Sequence, residues 1–489
     1  MSNIKNASDV REISDCYPVE NTTTLSGRLG TLDIVFTVLA YNAPLTVVVG
    51  LIPIIISMGN GLGAPLTFLA AGALMLLFGI GFTTMSRHVP NAGAYYAYIT
   101  VGLGKPLGLG SALMAILAYA FMILGGYLYA GVIYDSLLQS IFGHSACAWW
   151  VYSVGLLLVV SVLGHFRITF SAKLLTIALV CEVLLVFGWE FAITIANGSH
   201  SLAPTWMTPA SVTSGSIGLA VLFGVTCFAG FEATAVFREE ARDPEVTVPR
   251  ATYASIVVMT LIFASASYFF IAGYGPATAL STASAAPSTA ALDSIGQFLG
   301  HAGLDAVNVL MCSSIFACLL AIHNILSRYI YSLSIDGTFP KHLSAVHERH
   351  GSPYKASILV SFVLLVGLLI LTAAKVDPYS GYACLVGVAG YALLILQILT
   401  SVSVINFFRR VPQKHSRWKT LIAPLCSLIG LGATGWLAAT NIGLLTGNER
   451  IAAVLLVCIF GTLIGGGIYA VWLKTRKPDV YRAIGRQII

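Results

Sequence analysis

Windows of nineteen residues place twelve apolar spans at roughly 33–57, 65–86, 107–138, 148–165, 171–197, 216–237, 250–274, 303–334, 355–374, 382–408, 419–444 and 451–474. A spanning helix needs about 20 apolar residues, so these runs occupy a little over half the chain and leave loops rather than a soluble domain. The pattern predicts an all-α polytopic membrane protein with 12 transmembrane helices. The first 30 or so residues are polar and carry no apolar core of a cleavable signal, so they read as a disordered tail. Segment 275–302, rich in Ser, Thr, Ala and Pro, reads as an external loop carrying a short helix, either a lid or a passive connector.

Two spans break the uniform pattern. The first reads VFTVLAYNAPLTVVVGLIP, with Pro44 and Gly50 in mid-membrane and polar Asn42 and Thr46 around them. Proline removes a backbone donor and clashes with the preceding turn, which predicts a break near Ala43-Pro44. The sixth reads VLFGVTCFAGFEATAVFREE, where Gly224 and Gly230 flank Thr226 and Cys227 and Glu232 follows. Backbone groups freed at that depth must be buried in protein or line a hydrated cavity. A polar cavity between spans one and six is therefore expected. The breaks stand five spans apart, an odd offset that gives them opposite orientation and points to an inverted repeat with a midplane binding site. Taken singly, Pro44 reads equally well as a packing kink and Gly230 as a close helix contact; the paired placement favours the repeat.

Composition agrees with a membrane protein: 57% of the 489 residues are hydrophobic and 9% charged, against about 25% charged in a soluble domain. The net charge of +6 reflects topology rather than nucleic-acid binding, of which there is no signature. With the tail in the cytoplasm, the external loops hold only Lys375 and Arg450, and every other basic residue falls inside. Both termini are thus expected in the cytoplasm, in a plasma membrane or bacterial inner membrane. The 47 glycines favour close helix packing. Most of the nine cysteines (Cys181, Cys227, Cys312, Cys318, Cys384, Cys426 and Cys458 among them) sit in apolar runs, with neither metal-ligand spacing nor a disulfide framework.

An acid in the apolar core is costly and marks function by default. Glu182, in KLLTIALVCEVLLVFGW, lies near mid-membrane and is the first candidate for ion coupling, against a structural acid bonded to a neighbouring backbone. Glu232 divides evenly between holding the half-helices and sensing protons. Glu190 reads as structural or vestibular, Asp33 and Asp135 as span-end residues within reach of water, and His323 as a hydrogen-bonded packing residue. His342, His347 and His350, spaced five and three apart, come nearest to the catalytic set a membrane enzyme would need, but they do not form an i,i+4 ligand pair. No enzyme activity, metal or cofactor is expected.

Three stretches, SRHVPNAGAYYAYITVGLGKPLG, GFEATAVFREEARDPEVTVPRA and SRYIYSLSIDGTFPKHL, make residues 30 to 475 resemble the amino acid–polyamine–organocation transporter superfamily. The resemblance implies the leucine-transporter fold, a five-plus-five inverted repeat plus two extra helices. The chain would then divide into a cytoplasmic tail (1–31), a first repeat (32–198), a second repeat (199–409), spans 11–12 (410–475) and a cytoplasmic C-terminal tail (476–489). It implies substrate binding by Ala43, Pro44, Leu45 and Thr46 with Thr226, Cys227, Phe228, Ala229 and Gly230, a carboxylate at a half-helix N-terminus and an ammonium at exposed carbonyls. It implies a vestibule lined by Tyr95 and Tyr98, with Tyr96 between them. Two positions depart from the resemblance: APLT stands where many relatives have Gly-x-Gly, and Thr226 stands where an aromatic gate is common, leaving Phe223 or Phe228 for that role. Glu182 stands where several relatives carry a lysine.

The resulting expectation is a secondary active transporter for an amino acid or amine, driven by proton symport through Glu182 with Glu232 as a second coupling candidate. The alternatives are an exchanger, a sodium-coupled symporter using Ser313 and Ser314, and, from another class, a polytopic membrane enzyme.

Overall fold

The computed structural model describes residues 29–89, 94–166, 172–198, 204–236, 241–347, 352–411 and 416–485. Nearly all of the expected N-terminal tail, and His350 of the histidine loop, lie outside them. The described residues are helical, with one isolated β-bridge between Leu29 and Ala241.

The first apolar run becomes α1 (Thr31–Asn42) and α2 (Pro44–Gly50), prolonged by irregular turns to Gly63. There follow α3 (Ala64–Ser86), α4 (Ala94–Leu103), α5 (Lys105–Phe142), α6 (Trp149–Phe166) and α7 (Ala172–Asn197). The second interrupted run becomes α8 (Ile217–Thr226) and α9 (Ala233–Val236). After it come α10 (Pro244–Tyr274), α11 (Ala279–Ala285), α12 (Ala290–Ile335), α13 (Tyr354–Ala373), α14 (Pro378–Arg410), α15 (Ala423–Thr446) and α16 (Glu449–Arg476). Eleven helical stretches among the described residues are long and apolar enough to cross a membrane. The twelfth expected span is the broken one, whose apolar piece, Ile217–Thr226, is too short to qualify alone.

Segment 275–302 is more helical than a loop. It holds the expected short helix as α11, but its second half begins α12, which bends at Gly300 (φ 70°). Ala290, Ala291 and Ile295 are buried there, and Trp189 donates its indole N–H to Ser294 Oγ at 3.2 Å. Packing therefore extends the helix beyond the apolar run that marks its span.

Helices sort into an inner and an outer set. In the most apolar windows, 72% of residues are buried in Thr31–Gly50 and in Pro378–Arg410, but 17% in Glu449–Arg476 and 28% in both α6 and α13. The outer helices present Val457, Ile468, Ile358 and Phe362 outward, where a bilayer replaces water as solvent. Outermost α16 docks on α5 through glycines: a Cβ on Gly466 would fall 2.6 Å from the Gly110 Cα. Close backbone approach of this kind replaces the hydrophobic drive that lipid cannot supply. At the end of α12, Tyr96 donates its hydroxyl to Asp336 (2.8 Å) and accepts the N–H of Gly485 (2.7 Å), joining two of the recognised sequence stretches. Burial pushes the Asp336 carboxyl up to about 6.

Candidate functional site

Both expected breaks occur, by different means. Helix α1 stops at Asn42 because Ala43 takes a left-handed conformation (φ 52°, ψ 68°), and α2 restarts with Pro44 at its first position, where the missing N–H would have no partner anyway. Helix α8 stops at Thr226, a turn follows, and Gly230 adopts φ 100° before α9 begins. The Tyr41 ring occupies the space a Cβ on Gly230 would take, so the chains of the two breaks touch there.

The breaks are tied by side chains. The Asn42 amide donates to the carbonyls of Cys227 and Ala229, the latter at 3.1 Å, and so satisfies acceptors left by the end of α8. Two carbonyls facing one end of the amide require the nitrogen there, so Oδ1 points the other way. Glu182 of α7 accepts the Leu45 N–H at 3.3 Å and the Ser314 hydroxyl of α12 at 3.0 Å, both on Oε2. Glu232 accepts the Gly230 N–H at 2.9 Å on one oxygen and the Tyr119 hydroxyl of α5 on the other. Each break thus has a buried acid on one of its free amides.

Between the breaks lies a small cavity. Asn42, Ala43 and Thr46 line it from the first break, with Thr226, Cys227 and Ala229 from the second. Met122, Ile315, Leu319 and Tyr382 close its sides, and no charged side chain is among the lining residues. Three buried polar atoms here lack a partner: Asn42 Oδ1, Thr46 Oγ1 and Tyr41 OH.

Aromatic layers stand at both ends. At the Gly50 end, Tyr129 stacks on Tyr382 (centroids 4.5 Å apart), and Tyr379 donates its hydroxyl to the Gly50 and Pro287 carbonyls, each at 2.9 Å. At the other end Phe78, Phe82, Tyr95 and Tyr98 gather with Phe231, their centroids from 5.1 to 6.4 Å apart. Tyr129 follows Tyr119 by ten residues of α5, and Tyr119 reaches Glu232 beside Phe231, so the layers stand roughly 15 Å apart along that helix.

Of the residues expected at the site, Ala43, Thr46, Thr226, Cys227 and Ala229 line the cavity, while Pro44, Leu45, Phe228 and Gly230 do not. Phe223 and Phe228, the two candidates for an aromatic gate, do not line the cavity either: Phe223 lies against Gly387 and Phe228 packs on Phe263 (6.3 Å). Glu190 accepts from Ser265 (2.7 Å) away from the cavity, and His323 pairs with Ser357 (2.9 Å). Sequence reasoning missed Tyr382, Met122, Ile315 and Leu319, and it noted Asn42 without assigning it to the site. An amide immediately before a proline break in an apolar run was the signal available.

The family profile described as amino acid permease matches residues 29–484. The chain is 23% identical over 460 residues to the low-affinity putrescine importer PlaP of Escherichia coli (strain K12), covering 90% of this chain and 95% of that protein. It is 21% identical over 384 residues to the serine/threonine exchanger SteT of Bacillus subtilis (strain 168), covering 77% and 82%. A solved structure of a manganese transporter from Eremococcus coleocola superposes with a TM-score of 0.57 at 13% identity, covering 96% of this chain and 97% of that one. The architecture is the leucine-transporter fold.

Proposed function

The chain belongs to the amino acid permease family, and from that membership we propose that it carries an amino acid or an amine across the membrane by alternating access at the cavity between the two breaks, with proton symport through Glu182. It is a multi-pass membrane transporter and not an enzyme. The observation that carries the coupling assignment is the position of Glu182. One carboxylate oxygen holds the backbone of the first break and the Ser314 hydroxyl of α12, so protonation changes how strongly three helices are tied together. The rearrangement is of spans 1, 2, 6 and 7 against the remainder, with one aromatic layer opening at a time. Repeats at 32–198 and 199–409, and cytoplasmic termini, complete the reading; the bias of basic residues supports the orientation.

Sodium coupling is the alternative that would use the hydroxyl oxygens of Ser313 and Ser314, whose lone pairs stay available while each donates its hydrogen, and sodium-independent uptake would remove it. Ser314 donates to Glu182, and Ser313 donates to the Leu310 carbonyl at 2.8 Å. Exchange is the second reading, favoured by the similarity to a serine/threonine exchanger.

The test is uptake into proteoliposomes under an imposed pH gradient. Glu182→Gln is expected to abolish accumulation driven by the gradient and to retain substrate counterflow. Undiminished proton-driven uptake in that variant overturns the assignment of Glu182, and counterflow without net uptake in the unaltered protein replaces symport with exchange.

A further inference from the structure

The two poles that a zwitterionic amino acid would use are both occupied by the protein's own side chains. At the first break, Pro44 has no N–H, that of Leu45 is held by Glu182, and that of Val47 bonds back to the Ala43 carbonyl at 3.1 Å. A carboxylate arriving there would meet one remaining backbone donor, that of Thr46, beside a resident acid. At the second break, the carbonyls of Cys227 and Ala229 already accept the Asn42 amide, which sits where a ligand ammonium would donate. Pairing a substrate carboxylate and ammonium in the usual sense would require displacing both side chains.

The cavity offers something else. Asn42 is 8% exposed and Thr46 6%, and both residues line the cavity; Asn42 Oδ1 and Thr46 Oγ1 are buried acceptors without partners on these two side chains. Leaving such atoms unsatisfied costs about 1–3 kcal/mol each, which a donor in the cavity would recover. Apart from the hydroxyls of Tyr41, Tyr382 and Thr226, the remaining side chains of the wall, such as Met122, Ile315, Leu319 and Val386, are apolar, and no charged group is present to pair a second charge, which is costly to desolvate without a partner.

We propose that the cavity selects a primary monoamine with an apolar body and no α-carboxylate, its ammonium held by Asn42 Oδ1 and Thr46 Oγ1 while Glu182 keeps the Leu45 N–H. This deepens the transporter reading and rests on it. Specificity is then set by two residues that close the zwitterion site, Asn42 and Glu182.

The test is isothermal titration of the purified full-length protein at neutral pH with matched pairs differing only in the carboxylate: phenylalanine and phenethylamine, leucine and isoamylamine. Putrescine serves as the diamine control. The amine of each pair is expected to bind at least tenfold tighter than its amino acid, and tighter than putrescine. Thr46→Val, which deletes a hydroxyl with no partner in the fold, is expected to weaken the amine about tenfold, the contribution of one hydrogen bond to a charged group. Glu182→Ala frees the Leu45 N–H and is expected to raise affinity for the amino acid; Thr46→Val keeps the test readable should that variant fail to fold. Amino acids binding as tightly as their amines overturn the selection while leaving the transporter reading intact, and putrescine binding more tightly than the monoamines overturns the apolar body. Binding by neither amines nor amino acids overturns both this proposal and the substrate class of the transporter.

Discussion

The two breaks do the same job with different backbones. At the first, a residue with a side chain, Ala43, takes φ 52° in the left-handed region; at the second, Gly230 takes φ 100°, outside the range that L residues adopt with ease. Their acids differ as well. Glu182 reaches the first break from another helix and places both of its bonds on one oxygen, whereas Glu232 lies two residues from the amide it accepts and uses both oxygens. The second break therefore carries its own acid, with Gly230 against Tyr41 of α1 and Glu232 against Tyr119 of α5. The first is held from outside by an acid that can change state without dismantling the turn. A coupling role suits the first arrangement better than the second.

The largest expected effect falls on the second break. Gly230→Ala drives a methyl group into the Tyr41 ring and imposes a strained φ, costing about 3–5 kcal/mol from backbone strain and overpacking together. The expected outcome is loss of the monodisperse folded peak in size-exclusion chromatography. A folded, active Gly230→Ala protein would remove the distinction between the two breaks.

The acids sharpen the comparison at intermediate size. In Glu232→Gln, one of the two bonded oxygens becomes an NH2 group, and the Tyr119 hydroxyl must turn from donor to acceptor, leaving its hydrogen unpaired in a site where the tyrosine is 1% exposed. About 1–2 kcal/mol of stability is lost, read as a melting temperature lower by several degrees. Glu182→Gln can keep a carbonyl oxygen where Oε2 accepts both of its bonds, so its melting temperature is expected to stay within a degree or so of the unaltered protein while gradient-driven uptake disappears. Equal destabilisation by the two substitutions would mean that Glu182 is as structural as Glu232.

Legibility in the sequence follows the same division. Apolar runs located the spans because a bilayer demands length and hydrophobicity, and the breaks were visible because Pro44 and Gly230 act through their own backbones. The walls of the cavity were hidden. Met122, Ile315 and Leu319 lie in long apolar runs, so nothing in their own residue type separates a cavity face from a lipid face. Phe223 and Phe228 drew attention as aromatics near a break, yet their directions depend on Gly387 and Phe263 from other helices. The reach of Glu182 to Leu45 spans 137 positions, and no local pattern announces such a contact. Even the extra helix at the start of α12 is a tertiary effect, since Ser, Thr and Ala there become ordered only against Trp189 and its neighbours.

The smallest expected effect tests the first break directly. Ala43 pays for its left-handed conformation with about 1–2 kcal/mol, and Ala43→Gly removes that strain while adding conformational freedom to the unfolded chain worth about 0.5–1 kcal/mol in the other direction. The two terms nearly cancel, so thermal stability is expected to change by about 0.5 kcal/mol or less. The substitution also removes a methyl group from the cavity wall beside Asn42 and Thr46, so a slightly bulkier amine should be accepted without loss of folding. A drop of 2 kcal/mol or more in Ala43→Gly would show instead that the methyl group is a packing anchor, and that the first break is held by its own residue rather than by Glu182.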